Sequence, residues 1–171
     1  MAKMTSAYAN KVLRKLNDDK GFYLNKEQEG QVYVASLDEE PVIPDYDYSD
    51  VSSKIAEIDA KIVKIKHAIN VINVTSTIKV DGADMTIDAV LVKMAQLSKR
   101  KSILDGMRKR QKKSRVSDGY FSSRKTAPEY QYINYDLETV NKEYERIDGE
   151  IAEMQIALDK FNQTFEFEVE V

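Results

Sequence analysis

Residues 49–75 read SDVSSKIAEIDAKIVKIKHAINVINVT, and within them Val51, Ile55, Ile58, Ile62, Ile65, Ile69 and Ile72 recur at spacings of 4-3-4-3-4-3. An apolar residue every three and then four positions keeps one stripe of a helix facing a neighbour, which is the a/d pattern of a coiled-coil seam. Between the isoleucines stand Lys54, Glu57, Asp59, Lys61, Lys64 and Lys66, which keep the other faces in water. Ser49 or Asp50 can cap the first turn, because a side-chain oxygen there accepts a free amide proton. Val74, Thr75 and Thr77 are β-branched and weaken the far end. This spacing predicts a helix over 49–75.

The same pattern returns near the end of the chain. Leu137, Val140, Tyr144, Ile147, Ile151, Met154, Leu158 and Phe161 step 3-4-3-4-3-4-3. Asp136 is the expected N-cap, and Glu138 would sit in the first turn, where the helix dipole favours negative charge. A helix is expected over 136–163, with Gly149 on an outer position. A third helix, 86–113, carries Ile87, Val90, Leu91, Met94, Leu97, Leu104 and Met107, with Thr86 as its cap. Lys101 interrupts its stripe where an apolar residue is due. Ahead of it, Val80-Asp81-Gly82-Ala83-Asp84 is turn chemistry, since Asp-Gly adopts positive φ easily. A shorter helix, 5–20, uses Ala9, Leu13 and Leu16 and is expected to end at Gly21.

Two regions depart from helical spacing. The stretch 30–47 contains Glu39-Glu40-Pro41 and Ile43-Pro44-Asp45, and prolines push the residues before them into extended shapes. It reads as a loop, with room for a short strand at Val32-Tyr33-Val34. The last seven residues, Phe165-Glu166-Phe167-Glu168-Val169-Glu170-Val171, alternate strictly and predict a strand over 165–171. A strand must pair to satisfy its backbone. Tyr130-Gln131-Tyr132-Ile133 is the expected partner, or the same strand of another subunit. The fold class expected is mainly α: one domain over 1–171, a long antiparallel helical hairpin or coiled-coil bundle with a small β appendage.

Composition narrows the chemistry. The 171 residues hold 26 Lys and Arg against 29 Asp and Glu, for a net charge of −3, with no Cys and one His. Absent cysteine means no disulfide scaffold, no thiol nucleophile and no thiolate metal site. A single imidazole, His67, excludes any triad or cluster needing two, and its place two residues past Ile65 makes it a surface residue. The six glycines are isolated, so no phosphate-cradling loop is formed. No serine or threonine has the histidine neighbourhood that activates a nucleophile. Asp45, Asp47 and Asp50 are loosely spaced like calcium ligands, with Asp81 and Asp84 as distant candidates. The loop lacks the glycine and terminal glutamate of an EF-hand, and the chain lacks the Glu-x-x-His ligands of di-iron bundles. No catalytic residue, cofactor or metal site is therefore assigned. No apolar run approaches a membrane span, and Met1-Ala2-Lys3-Met4-Thr5-Ser6 has no apolar signal core. A cytoplasmic protein is expected, without a membrane partner.

Charge is not spread evenly. Lys99, Arg100, Lys101, Arg108, Lys109, Arg110, Lys112, Lys113, Arg115, Arg124 and Lys125 are opposed between 99 and 125 only by Asp105 and Asp118. That segment carries +9 and the remainder −12. A polyanion such as nucleic acid would be held by Arg108, Lys109, Arg110, Lys112, Lys113 and Arg115, with Tyr120 and Phe121 able to stack on bases. The competing reading is an ion-paired or solvated face, satisfied within the protein or between subunits. Asn70 and Asn73 stand beside the isoleucine seam, and Asn162 has a similar place at the end of the last helix. Buried, they would need hydrogen bonds and would fix register. Those two helix ends could meet if the helices pack in parallel or belong to different subunits.

Ile69-Asn70-Val71-Ile72-Asn73, Thr86-Ile87-Asp88, Arg115-Val116-Ser117 and Leu158-Asp159-Lys160-Phe161-Asn162 together resemble an uncharacterised bacterial coiled-coil family, some of whose members are called septicolysin. The resemblance runs from about residue 50 to 165. An Arg-Asp pair of that family's third helix reads Met94-Ala95 here, and the Gln and Trp around the final Asn read Asp159 and Gln163. The resemblance implies a helical, oligomeric protein, and no cytolytic activity is carried over. The functional expectation is a non-enzymatic, self-assembling coiled-coil protein forming homo-oligomers. Polyanion binding through 99–125 is the alternative.

Overall fold

In the computed structural model, which describes residues 2–116 and 129–170, the isoleucine seam faces inward along its whole length. Val51, Ile58, Ile62 and Ile65 are buried and Ile55, Ile69 and Ile72 are half-buried, while Lys61, Lys64 and Lys66 between them stay in water. They lie on α2 (Tyr48–Thr75). Asp47, rather than Ser49 or Asp50, caps this helix, its carboxylate accepting the Asp50 N–H at 2.8 Å. Three further helices form: α1 (Ser6–Gly30), α3 (Ile87–Arg108) and α4 (Leu137–Thr164). The strands are short and join in antiparallel pairs: β1 (Ala2–Thr5) with β6 (Glu166–Val169), β2 (Thr77–Val80) with β3 (Ala83–Thr86), and β4 (Lys113–Arg115) with β5 (Tyr130–Tyr132). The protein is thus mainly helical, with small antiparallel strand pairs.

Contacts divide the chain into two compact units. The first contains residues up to Ile87 and those from Ala157 onward; the second runs Asp88–Ile156. In the first unit α1 and α2 pack antiparallel, and Lys20 holds Asp59 at 2.7 Å between them. Met4, Ala9, Leu13, Ile58, Ile62, Ile65, Phe167 and Val169 form its core, with Tyr23 and Ile69 packed against them. Gly21 does not end the first helix. Nothing approaches it, and Lys20 and Tyr23 on either side are held against α2. This packing outweighs the roughly 1 kcal/mol helical cost of a glycine, so α1 runs ten residues beyond the predicted 20.

The terminal strand forms, but its partner is not Tyr130–Ile133. Phe167 stands opposite Met4 and Val169 opposite Ala2. Phe167 and Val169 are buried while Glu166 and Glu168 face water, which is the alternation read from the sequence. Phe165, placed on that same face, is instead exposed and stacks on Phe161 at 4.7 Å between centroids. The Val80–Asp84 turn is the tip of a β-hairpin. Asp81 (φ 51°) and Gly82 (φ 76°) are the two positive-φ residues of the turn type that matches strand twist. The last turns of α4 lie beside this hairpin, where Ile78, Lys79, Ala157, Lys160, Phe161 and Thr164 line a pocket.

In the second unit α3 and α4 are antiparallel neighbours. Leu104, Val140 and Ile147 form the buried centre, flanked by Leu97, Met107, Tyr135, Tyr144 and Ile151. Asp136 caps α4 as expected, accepting the Thr139 N–H at 2.8 Å and the Thr139 hydroxyl at 2.7 Å. These bonds, the hydroxyl first, hold its pKa below the usual carboxylate range. Helix α3 stops at Arg108 rather than 113. Met107 is its last apolar stripe residue, and Tyr135 Oη donates to the Met107 carbonyl at 2.7 Å, taking one of the carbonyls a helix end leaves free. Leu91, assigned to the stripe, is exposed. Among the described residues no helix is long and apolar enough to cross a membrane.

Candidate interaction surface

Two connections stand out within their own units, and their charges are opposite. The first joins α1 to α2. Tyr46 lies against the backbone of Gly30, so closely that a Cβ added there would stand 2.5 Å from Tyr46 Cβ. Its hydroxyl donates to Glu27 Oε1 at 3.4 Å, and desolvation together with the Glu27 charge raises the Tyr46 pKa. The base of the connection is thereby fixed to the end of α1. Beyond that base the chain is open. Residues 31–47 form no strand, so the one expected at Val32–Val34 is absent. Among the described residues, the main chain of 32–43 makes a single internal hydrogen bond, from Glu39 N–H to Ser36 O at 3.5 Å.

The apolar side chains of this connection are in water. Val32 is 73% exposed, Val34 97%, Leu37 fully, Val42 88% and Ile43 64%. Asp38, Glu39, Glu40, Asp45 and Asp47 lie among them, with no Lys or Arg from 31 to 47. From sequence this segment reads as a loop, and only Asp45 and Asp47 in it are weighed, as cation ligands. The signal was present, because a solvated loop does not need five large aliphatic side chains between its prolines and acids.

The second connection joins α3 to α4 through β4 and β5. Lys113 pairs with Tyr132, Ser114 with Gln131 and Arg115 with Tyr130, and the ladder extends through Val116 N–H to Glu129 O and Ile133 N–H to Lys112 O. Lys109, Arg110, Lys112, Lys113 and Arg115 bring five cations to residues 109–116, without a carboxylate. Lys113 Nζ sits over the Tyr130 ring at 4.1 Å and near the Tyr132 ring at 5.5 Å. Arg110, Gln111, Ser114, Gln131, Tyr132 and Ile133 line a pocket of about 240 Å³.

The basic run is therefore split. Lys101, which broke the α3 stripe, pairs with Asp148 of α4 and lies 5.6 Å from the Tyr144 ring centre. The Asp148 hydrogen bond raises its pKa. Arg108 bonds Asp105 at 2.9 Å and covers the Tyr144 ring at 3.9 Å, and Lys109 also holds Asp105. Both cations hold the Asp105 pKa low, Lys109 first. Lys93 and Arg146 converge on Glu150 at 2.6 and 3.0 Å, and Arg146 also binds Glu143 at 2.9 Å. Glu150 and Glu143 are lowered by these bonds, and the Arg146 pKa is raised. Arg110, Lys112 and Arg115 have no ion pair among the described residues. Ser117, Asp118, Tyr120, Phe121, Arg124, Lys125 and Val171 lie outside the described residues.

The remaining sequence candidates are dispersed. His67 and Asn70 are exposed; Asn73 and Asn162 are half-buried. No side-chain hydrogen bond joins these asparagines among the described residues, so the register role, which requires burial, is not available to Asn70. Asp45, Asp47 and Asp50 do not converge. Asp47 is the α2 cap, and among the described residues no three His, Cys, Asp or Glu gather as metal ligands would.

Known proteins add the fold and nothing about activity. A crystal structure of a functionally unknown conserved protein from Corynebacterium diphtheriae is similar at a TM-score of 0.67 and 13% identity, over 98% of this chain and all of that one. At that identity the likeness shows a shared fold. No family model matches the chain, and no curated protein does.

Proposed function

We propose that this chain is a non-enzymatic, self-assembling helical protein whose paired helices belong to a coiled-coil hairpin bundle. The observation that carries the reading is the 31–47 connection, fixed at its base by Tyr46 and Gly30 yet presenting Val32, Val34, Leu37, Val42 and Ile43 to water. Five large aliphatic side chains exposed within one connection support an interaction site, because such apolar surface is costly to leave in water. Both long seams agree, since their inward stripes leave further apolar residues such as Val63 and Ile156 outside. Light scattering at micromolar concentration tests it: an oligomer of fixed mass, unchanged by nuclease, is expected, and a monomer under all conditions refutes it.

The second reading is polyanion binding, favoured by Arg110, Lys112 and Arg115 beside the exposed Tyr130 and Tyr132 rings. Phosphate contacts release counterions, so affinity for single-stranded nucleic acid would fall steeply with salt. Retention of an oligonucleotide at ~50 mM salt, lost on replacing Arg110, Lys112 and Arg115 with Gln, would favour it.

A further inference from the structure

We infer that the occupant of the β4–β5 hairpin is the 31–47 connection of a second copy of this chain, with Val32-Tyr33-Val34 adding to the hairpin as a third strand. The inference rests on the self-assembly reading and names its interface. Three observations lead to it.

The first is charge. Residues 31–47 carry five carboxylates and no cation, while 109–116 carry five cations and no carboxylate. Opposed patches of this kind steer association and fix register. Asp38, Glu39 and Glu40 are adjacent, as are Lys112 and Lys113, with Arg115 two residues on, so the two segments attract each other as oppositely charged patches.

The second is the backbone. β4 and β5 form a two-stranded sheet with no third strand among the described residues. In an antiparallel ladder bonded pairs alternate. The bonds at 116–129 and 112–133 therefore turn the main-chain groups of Lys113 and Arg115 outward on one edge and those of Tyr130 and Tyr132 on the other. The segment 32–36 has an equally unpaired main chain and makes no internal hydrogen bond of its own apart from the Ser36 carbonyl. An extended Val-Tyr-Val segment meeting an open edge is the arrangement of strand addition, where main-chain bonds give affinity and alternate side chains give specificity.

The third is side-chain cover. Arg110, Gln111, Ser114, Gln131, Tyr132 and Ile133 line a pocket of the hairpin, and the Tyr130 and Tyr132 rings are exposed beside Lys113. Val32 and Val34 would point to one face of an added strand and Tyr33 to the other, so both faces gain cover. Each copy carries donor and acceptor, so the contact can close a reciprocal pair or repeat from copy to copy.

Two charge-reversed chains test this: one with Asp38, Glu39 and Glu40→Lys, the other with Lys112, Lys113 and Arg115→Glu. Each alone should assemble at least about a hundredfold more weakly than the wild type, because the two segments then carry the same sign of charge and repel. Circular dichroism should show the helices intact. Mixed in equal amounts, the two chains present opposite charges at every cross-contact and should recover the wild-type mass by light scattering, with amides of 32–34 protected from exchange. Variants that keep the wild-type mass, or a mixture that stays dissociated, would overturn the interface while leaving self-assembly standing. A wild-type chain that is monomeric would overturn the self-assembly reading itself. Recovery of binding only by added oligonucleotide would assign the hairpin to nucleic acid and overturn the inference.

Discussion

Different forces hold each of the two units together internally. In the first, eight buried apolar residues from β1, α1, α2 and β6 make a continuous core, and one ion pair, Lys20–Asp59, spans the helices among the described residues. In the second, Leu104, Val140 and Ile147 are buried at the centre, Val90 and Met154 are fully buried as well, and α3 is tied to α4 by Lys93–Glu150, Lys101–Asp148 and the Arg108–Tyr144 contact. Apolar burial scales with the area removed from water. Exposed ion pairs contribute little each and weaken with salt. The comparison teaches that the unit with the regular isoleucine seam supplies a scaffold, while the unit carrying the charges is the more responsive to its surroundings.

The largest effect should come from opening the first core. Ile65 is fully buried among Ile58, Ile62, Leu13 and the terminal strand. Ile65→Ala should cost about 2–5 kcal/mol through lost transfer energy and a residual cavity. Thermal unfolding in low and high salt should give the same loss, since no charge is involved. A loss that depends strongly on salt would break the contrast between the units.

Next comes Gly30→Ala, which places a methyl group 2.5 Å from Tyr46 Cβ. The obstacle lies at the root of the side chain and not at a flexible end, so α1 or the connection must shift. A cost of about 1–3 kcal/mol is expected, as in other overpacked sites. Tyr46 fluorescence should change with it, because the ring leaves Glu27.

Ser6→Ala should do the opposite and raise stability by about 1 kcal/mol. The Ser6 hydroxyl is buried without a hydrogen-bond partner among the described residues, and an unsatisfied buried group is a cost that alanine removes. Chemical denaturation measures it.

The smallest effect is graded and belongs to the second unit. Asp105, Asp136, Glu143 and Glu150 all have pKa values held below the ordinary range by their hydrogen bonds. A depressed carboxylate contributes stability that is present above its unfolded pKa, about 4, and is lost as pH falls through its folded value. The protection factors of amides across α3 and the start of α4, taken relative to the intrinsic exchange rate at each pH, should therefore fall below about pH 4. Protection factors there that stay constant from pH 6 to pH 3 would remove the electrostatic account of that unit.

Legibility in the sequence followed the length of the signal. α2 and α4 were readable nearly to the residue, because seven or eight apolar positions at helical spacing admit no other structure. The alternation of the terminal strand was equally plain. Its partner was not, because Ala2-Lys3-Met4-Thr5 is too short to show a period, and only the fold brings it beside Phe167. Gly21 misled, since its local cost is offset by packing on α2 that the sequence does not display. The hairpins at Thr77–Thr86 and Lys113–Tyr132 lay in segments of three or four residues, below what periodicity resolves. The basic candidates Arg108 to Arg115 were visible by charge alone. The Asp105 pairs with Arg108 and Lys109 are three and four residues apart and local to the end of α3, whereas the ring contacts of Arg108 and Lys113 depended on α4 and β5 folding back upon them. The acidic, apolar 31–47 connection was in view as composition, and its exposure became evident only with the helices in place.

The central claim is that this connection is covered when copies meet. Amide exchange of residues 32–43, compared at about 1 µM and about 100 µM protein, tests it most directly, since self-association is driven by concentration. The account predicts fast exchange in the dilute sample and clear protection of Val32, Tyr33 and Val34 in the concentrated one. Equally fast exchange at both concentrations, with a monomeric mass throughout, would contradict it.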